Sequence, residues 1–568
     1  MKNTEQEFMP EWYEEAPTPE SYRSIFKWGD PLAFKHPNAR LFAMLKEQFE
    51  LTNDDFLERK KEGHEVVYTN QAPNIQSRHI DSIENIVGKD NMETSDYARV
   101  RFSNGKTAEE SIRLREGING PLADLVVHPR NKDEVAKIVA LCHEEKIPIY
   151  VYGGGSSVNL GFQPVKGGIT LVIQTHMNKM LEVNEINQTA RVQPGMMGPD
   201  YESSLNRSPE LFQTKKRFTG GHFPQSFEYS SVGGWVVTLG SGQQSTYYGD
   251  AYDLVISQEY VTPKGHFVTL DYPATANGPK VADIMKGSEG CYGILVEVTM
   301  KIFRFQPENQ QPFAFIFPDW QAAVEASREI CQGEFGLPSV FRISDAEETE
   351  VGLKLYGIEG TVLDKLIQIR GFKPMKRCLC IGHTEGEKQF SIHVKKQIKK
   401  ISKKYGGMYL TGYPVKNWKH GRFQDPYMRE DLQDFGIVTD TLETSVRWDN
   451  LHEVHQGVRK YIKARPKTIC MTHASHFYPQ GTNLYFIFIS KFNDLEEYKA
   501  FQEGVIDHIQ SCGGSLSHHH GVGKMIGPRM ESHIGKVQLD ILRAIKKHLD
   551  PANIMNPGNL GLDSIEKE

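Results

Sequence analysis

From residue 122 onward, the hydrophobic positions fall into short, regular runs. Leu122 to Val127 form an apolar stretch of strand length. Asn131 then precedes Val135, Ile138, Val139 and Cys142, a spacing that puts four apolar side chains on one helical face. Asn131 is suited to cap that helix, with Glu134 in the capping-box position. After Lys146 the chain reads "IPIYVY" and enters Gly153, Gly154 and Gly155. The pattern predicts a β-α-β unit that ends in a glycine turn.

Between 165 and 305, strand-like segments such as "GGITLVIQT" and "GILVEVTMKIFRF" alternate with Gly, Asn and Pro. "VTPKGHFVTL" predicts a hairpin around Pro263, Lys264 and Gly265. Beyond 306, strands alternate with amphipathic helices such as "DWQAAVEASREICQ", which predicts a second, α+β domain. Residues 1–115 are charged and uneven, with helical patches such as "HPNARLFAMLKEQFE" and no visible chemistry. The expected organisation is a largely helical extension (1–115), a strand-rich domain (116–305), an α+β cap domain (306–520) and a C-terminal segment returning to the first domain (521–568). The fold class is α+β.

Length and composition narrow the classes. A chain of 568 residues exceeds what one core serves. A net charge of −6 gives no reason to expect a nucleic-acid partner. The seven cysteines are dispersed without C-x-x-C spacing, as in a reducing compartment. "MKNTEQEFMPEWYEEAP" lacks an apolar signal core, and "SIEKE" carries no lipidation or peroxisomal signal. No window approaches the roughly 18 uninterrupted apolar residues of a membrane span. These features lead to an expectation of a soluble, multidomain, cytoplasmic protein, with peripheral membrane contact as the alternative.

The glycine turn carries the first candidate chemistry. Without Cβ atoms, the backbone N–H groups of Gly153–Gly155 can approach a ligand, and Ser156 and Ser157 add hydroxyls. Such a turn suits a pyrophosphate. It is neither a P-loop nor a Rossmann fingerprint. Two further clusters, "SFEYSSVGGWVVTLGSG" and "KGSEGCYGILVEVTMKI", mix small and hydroxylated residues in the same manner. Trp235, after a double glycine, reads as core packing.

Three adjacent histidines, His518, His519 and His520, precede Gly521 and Gly523. Neighbours on an extended segment point to opposite faces and no Cys/His partner motif is near, so they are a poor metal set and no metal is expected. Neutral imidazoles with a pKa of about 6.5 suit proton transfer. The lysines at 395, 396, 399, 400, 403 and 404 read as a solvated helix face, with contact to an anionic membrane as the alternative.

The ordered segments "YVYGGGSSVN", "SVGGW", "YGDAYDLV", "VTPKG" and "GSEGCYGIL" resemble the FAD-binding domain of vanillyl-alcohol-oxidase-type flavoproteins. The resemblance assigns residues 116–305 to FAD and implicates Gly153, Gly154, Gly155, Ser156 and Ser157. It further implicates Ser226, Phe227, Glu228, Tyr229, Ser230 and Ser231, then Thr238, Leu239, Gly240 and Ser241. The last set is Glu289, Gly290, Cys291, Tyr292, Gly293, Ile294 and Leu295. Members with a flavin-linked histidine read G-G-H where this chain has Ser156, which implies non-covalent FAD.

The cap half, through "PYMREDLQDFGIVTDTLETSVRWD", "GTNLYFIFIS" and "GGSLSHHHGVGK", resembles the alkyldihydroxyacetonephosphate synthase family. That likeness implies a redox-neutral exchange of the acyl group of acyl-dihydroxyacetone phosphate for a fatty alcohol, with oxidised FAD as electrophile. It implies an acid/base role for Tyr485, substrate binding by Arg429, and an active-site wall of His518, His519 and His520. A homodimer is expected. Taken alone, Tyr485 reads as a half-buried strand tyrosine and Arg429 as a surface ion pair with Glu430 or Asp431. A catalytic Tyr485 needs nearby positive charge to lower its pKa of about 10. Two features depart from the family. Leu239 and Gly240 stand where an arginine and alanine are usual, and "DPANIMNPGNL" resembles FAD-linked D-2-hydroxyacid dehydrogenases. A FAD-linked D-2-hydroxyacid dehydrogenase or oxidase is the alternative function.

Overall fold

The computed structural model describes residues 14–563; the acidic start and the "SIEKE" terminus lie outside the described residues. Helix Lys132–Glu145 forms where the periodicity places it. The Asn131 side chain accepts from the backbone N–H of Asp133 and Glu134 at 3.1 and 3.0 Å. The expected capping box does not close. The Glu134 carboxylate instead takes the Arg130 N–H at 2.8 Å and pairs with its guanidinium. The preceding strand begins at Leu125 rather than Leu122, because the Ala123 N–H is taken by Ser103 Oγ.

Leu125–Val127, Ile169–Val172 and Ile149–Tyr152 form a parallel sheet with Met92–Glu93 antiparallel on one edge. Val135, Ile138, Val139 and Cys142 pack on this sheet together with Ile83 and Val87. The extension thus donates both a strand and a helix, Ser77–Val87, to the next domain, and position 115 is not a structural boundary. A second sheet is antiparallel and five-stranded, and its last hairpin turns at Pro263–Lys264 as the sequence predicts.

The cap is an eight-stranded sheet. Helices Trp320–Cys331, Lys388–Lys404, Leu451–Ala464 and Leu495–Ser511 cover one face and bury Phe315, Phe341, Leu484, Phe486 and Phe488. Strand alternation sends Tyr485, Ile487 and Ile489 to the other face. Helix Ala39–Phe49 packs Leu41, Phe42 and Leu45 against Ile489 on that side.

Ionic contacts clamp the N-terminal region to the cap. Arg23 and Arg115 meet Asp434 at 2.7 and 2.6 Å, and Lys27 meets Asp431 at 2.7 Å, all with side chains at most 6% exposed. Buried charges persist only when paired, so this contact fixes helix Tyr427–Gln433 in place. Past the histidines the chain returns to the first domain. Helix Lys536–Leu549 packs on the five-stranded sheet's core, and the Asn556 N–H donates to Ile149 O at 2.8 Å.

Candidate active site

A cleft with about 1300 Å³ of empty space, its open mouth included, lies between the first domain and the cap. Gly153 to Ser157, Ser230, Ser231, Gly233, Gly234, Thr238, Gly240, Ser241 and the segment around Glu289 to Leu295 line it. Tyr485, His519 and His520 line it from the cap side. An added Cβ at Gly234 or Gly290 would meet nothing nearer than 3.4 and 3.9 Å respectively, so neither position is crowded by the protein and both lie on the cleft wall. The cleft therefore has the small-residue floor that a flat, phosphorylated cofactor requires.

The histidine loop is held by two buried carboxylates. Glu443, on strand Val438–Arg447, accepts the backbone N–H groups of His518, His519 and His520 at 2.8 to 3.1 Å and the Ser517 hydroxyl at 2.8 Å. Burial alone would raise its pKa; the His520 and His518 imidazoles and the backbone donors outweigh this and lower it. Glu289, in the cleft floor, accepts Val522 and Gly523 N–H at 2.6 and 2.9 Å. Gly521 and Gly523 have φ of +86° and +58°, and a Cβ at Gly523 would lie 1.9 Å from Asn159 O. Only glycine lets the loop lie this close to the first domain.

The Tyr485 hydroxyl makes a short hydrogen bond to His519 Nε2. Burial and the charge of Glu443 push the Tyr485 phenol well above its ordinary value of 10, and Arg342 offsets this only in part. Burial and the neighbouring imidazoles, His520 first, hold His519 well below 6.5. The phenol is therefore the donor and the neutral imidazole the acceptor. The expected positive charge that would acidify Tyr485 is not what the site provides; it keeps a protonated phenol beside a neutral base. His473 stacks on the Tyr485 ring at 4.6 Å and is anchored to Glu348 at 3.0 Å.

Several residues expected in the site face elsewhere. His518 does not line the cleft; its ring lies behind His519, with the two Nδ1 atoms 2.8 Å apart. Arg429 is a buried neighbour of the cleft rather than part of its lining. It donates to Lys106 O at 2.8 Å and to Glu430 at 2.6 Å, and lies over Trp28, which does line the cleft. Its ion pair with Glu430 is internal, not on the surface. Phe227 stacks on Phe423 in the core, Tyr229 bonds Tyr427, and Glu228 stays out of the lining. The Leu239 side chain turns onto Gly287, Cys291 is buried, and Tyr292 donates to Leu542 O. Within these segments Phe227 to Tyr229 and Cys291 to Tyr292 turn away together, while the residues flanking them line the cleft.

Sequence reasoning missed Glu443, His473, Tyr478, Trp28 and Asn159. Glu443 and Asn159 lie inside segments quoted for the family likeness but were not singled out; Glu443 and His473 reach the site by strand register, Asn159 from the loop after the glycine turn, and Trp28 through the extension. Glu443, His518 and His519 each place a ligand atom within 4.8 Å of the others. The carboxylate is already occupied by N–H and O–H donors, and the imidazoles bond to each other and to Tyr478 and Tyr485.

The fold and the cleft define a flavoprotein with an FAD-binding domain and an FAD-linked-oxidase cap. A family model described as FAD binding domain matches residues 123–271, and one described as FAD linked oxidases, C-terminal domain, matches 306–560. FAD is the cofactor of this fold. An alkyldihydroxyacetonephosphate synthase of Dictyostelium discoideum is 34% identical over 84% of this chain and 80% of its own. One from Caenorhabditis elegans is 32% identical over 82% and 81%. A solved alkyldihydroxyacetonephosphate synthase superposes with a TM-score of 0.80 at 28% identity, covering 94% of this chain and 97% of its own. The chain belongs to the alkyldihydroxyacetonephosphate synthase family.

Proposed function

We propose that the protein is a FAD-dependent synthase that exchanges the acyl group of acyl-dihydroxyacetone phosphate for a fatty alcohol. The observation that carries this is the Tyr485–His519 pair at the edge of the glycine-lined cleft, in a chain of this family. Gly153 to Ser157 would hold the pyrophosphate of FAD through backbone N–H groups, and the Ser230–Gly234 and Glu289–Leu295 segments would flank the ring system. Ser156 offers no imidazole for a covalent link, so FAD is held non-covalently. Bound FAD supplies an electrophilic centre. The protein's own part is to hold a proton at Tyr485 Oη, accept it at His519 Nε2, and exclude water with His520 and Trp28. Arg429, fixed beside Trp28, shapes the substrate end.

The test is anaerobic turnover of palmitoyl-dihydroxyacetone phosphate with a fatty alcohol. Fatty-acid release with the flavin band finally still oxidised is the expected result. Lasting bleaching by D-lactate, with no response to the lipid pair, would assign the protein to the hydroxyacid oxidoreductases. Tyr485→Phe should keep FAD and lose about 10²- to 10⁴-fold in kcat, the usual worth of a positioned proton donor.

We further propose that the protein makes peripheral contact with a lipid surface. Helix Val362–Ile369 exposes Val362 (76%), Leu363, Leu366 and Ile369 (81%). Lys365, Arg370, Lys373 and Lys376 are exposed around it, while its acid, Asp364, is buried on Arg377 at 2.6 Å. An apolar face rimmed by cations suits an anionic bilayer. Helix Lys388–Lys404, the segment the sequence offers, buries Val394 and Ile398 under the cap sheet and keeps a solvated face. Among the described residues no helix is long and apolar enough to cross a membrane. Co-flotation with phosphatidylserine vesicles that is lost in Leu366→Glu/Ile369→Glu checks the contact; unchanged flotation would reject it.

A further inference from the structure

We propose that Tyr478 and Asp250 complete a proton wire that leads from Tyr485 out of the cleft through His519 and His518. The inference rests on the synthase function proposed above. That exchange breaks the bond between the dihydroxyacetone carbon and the ester oxygen, which leaves with the acyl group as a carboxylate, and joins the same carbon to the alcohol oxygen. At neutral pH the alcohol's hydroxyl proton is left over, one per turnover, because a fatty acid ionises at a pKa of about 4 to 5. The proton appears at the Tyr485–His519 pair inside the cleft and has to leave it.

The geometry offers a route with every link in hydrogen-bond contact. Tyr485 Oη meets His519 Nε2, and His519 Nδ1 meets His518 Nδ1 at 2.8 Å. His518 Nε2 meets Tyr478 Oη at 2.8 Å, and Tyr478 Oη meets Asp250 Oδ2 at 2.5 Å. A carboxylate only accepts, so Tyr478 donates to Asp250 and its lone pair receives His518 Nε2–H. His518 Nδ1 is then the acceptor for His519 Nδ1–H, which leaves His519 Nε2 free to accept from Tyr485. One assignment of protons satisfies all four links, and it points outward. Shifting each proton one link along carries a charge from Tyr485 to Asp250 without any group leaving its place.

Asp250 is built for the end position. It is half-buried at the N-cap of helix Ala251–Leu254, and its second oxygen receives the Ser241 hydroxyl. Neither Tyr478 nor Asp250 lines the cleft, so neither touches substrate; they are positioning and relay residues. Neighbouring His476 stacks on His518 and meets His519 edge-on, but its Nδ1 is taken by Ser245 Oγ at 2.8 Å, outside the chain.

The experiment uses the FAD-loaded full chain with palmitoyl-dihydroxyacetone phosphate and a fatty alcohol. Tyr478→Phe and Asp250→Asn should each keep the flavin spectrum and KM, lower kcat by about 10- to 100-fold, and enlarge the solvent deuterium effect on kcat. Added imidazole should restore most of the lost kcat in both variants but not in Tyr485→Phe. A kcat within twofold of the wild type in both variants would overturn the wire. So would a loss that imidazole does not rescue, since a structural defect is indifferent to proton carriers. If the wild type is inert on the lipid pair, the synthase assignment fails. The same two variants then test the wire in flavin reduction by D-lactate, which also releases a hydroxyl proton.

Discussion

Glu443 and Tyr485 are directly opposed residues on neighbouring antiparallel strands, so their side chains leave the cap sheet on the same face. The carboxylate organises the histidine loop, and the phenol bonds the imidazole that the loop presents. One register thus sets both halves of the pair. Glu443 Oε1 takes all four donors and Oε2 meets the His518 N–H a second time, so glutamine removes the charge that holds them and turns an amide NH₂ toward that N–H. Glu443→Gln should lose about 3 kcal/mol of stability and at least 10²-fold in kcat. Denaturant titration beside steady-state kinetics checks both.

The acid–base pair also fixes the pH dependence. His519 must be neutral to accept, and its pKa is held well below 6.5; Tyr485 must be protonated to donate, and its pKa is held well above 10. kcat/KM should therefore stay flat between about pH 6.5 and 10, with the acid limb displaced downward. Stability follows the same sign. His473, His476 and His519 are all lowered, with burial as the leading cause, so the unfolded chain takes up protons near pH 6.5 while the folded chain does not. Stability is expected to fall as pH drops below 6.5, which thermal unfolding across pH 5 to 8 would show.

The clamp between the N-terminal region and the cap can be cut at one residue. Arg115 contributes an ion pair to Asp434 and a hydrogen bond to Glu430 O at 2.8 Å. Arg115→Met leaves a buried carboxylate short of its partner and should cost about 3 to 5 kcal/mol. It should also loosen helix Tyr427–Gln433 and raise KM, because Arg429 rides on that helix. A hydrogen-exchange experiment on residues 427–433 distinguishes local loosening from global loss.

At Gly154, an added Cβ would sit 2.3 Å from Tyr229 O and 2.7 Å from Ser230 Cα. Both are backbone atoms and cannot turn aside. Gly154→Ala is expected to push the turn away from the Ser226–Ser231 segment, cost about 1 to 3 kcal/mol, and weaken FAD retention on gel filtration. Full retention with unchanged stability would show that the turn has slack.

The β-α-β unit and its glycine turn were legible because periodicity and the need for bare backbone are local signals. The histidine block was legible as a block, since three imidazoles between glycines are rare in any other setting. Which of them faces the cleft was not, because that is decided by Glu443, 75 to 77 residues earlier in the chain. Arg429 was found by resemblance, yet its surroundings come from Lys106 and Trp28, in the extension, where the only family likeness is the weak "FKWGDP" segment and nothing in it points to Arg429. The segments that line the cleft were identified, whereas Phe227, Tyr229, Leu239 and Tyr292 within them turn away into packing that sequence spacing does not reveal.

The cleft takes Trp28 from one end of the described chain, and from the other end Asn556 and Asn559 brace its floor from behind by bonding the backbone and carboxylate of Glu289. During synthesis no partial chain possesses a finished pocket, since its floor, roof and wall are translated hundreds of residues apart. The tightness with which flavin is retained then reports whether the two ends of the described chain have docked on the body between them.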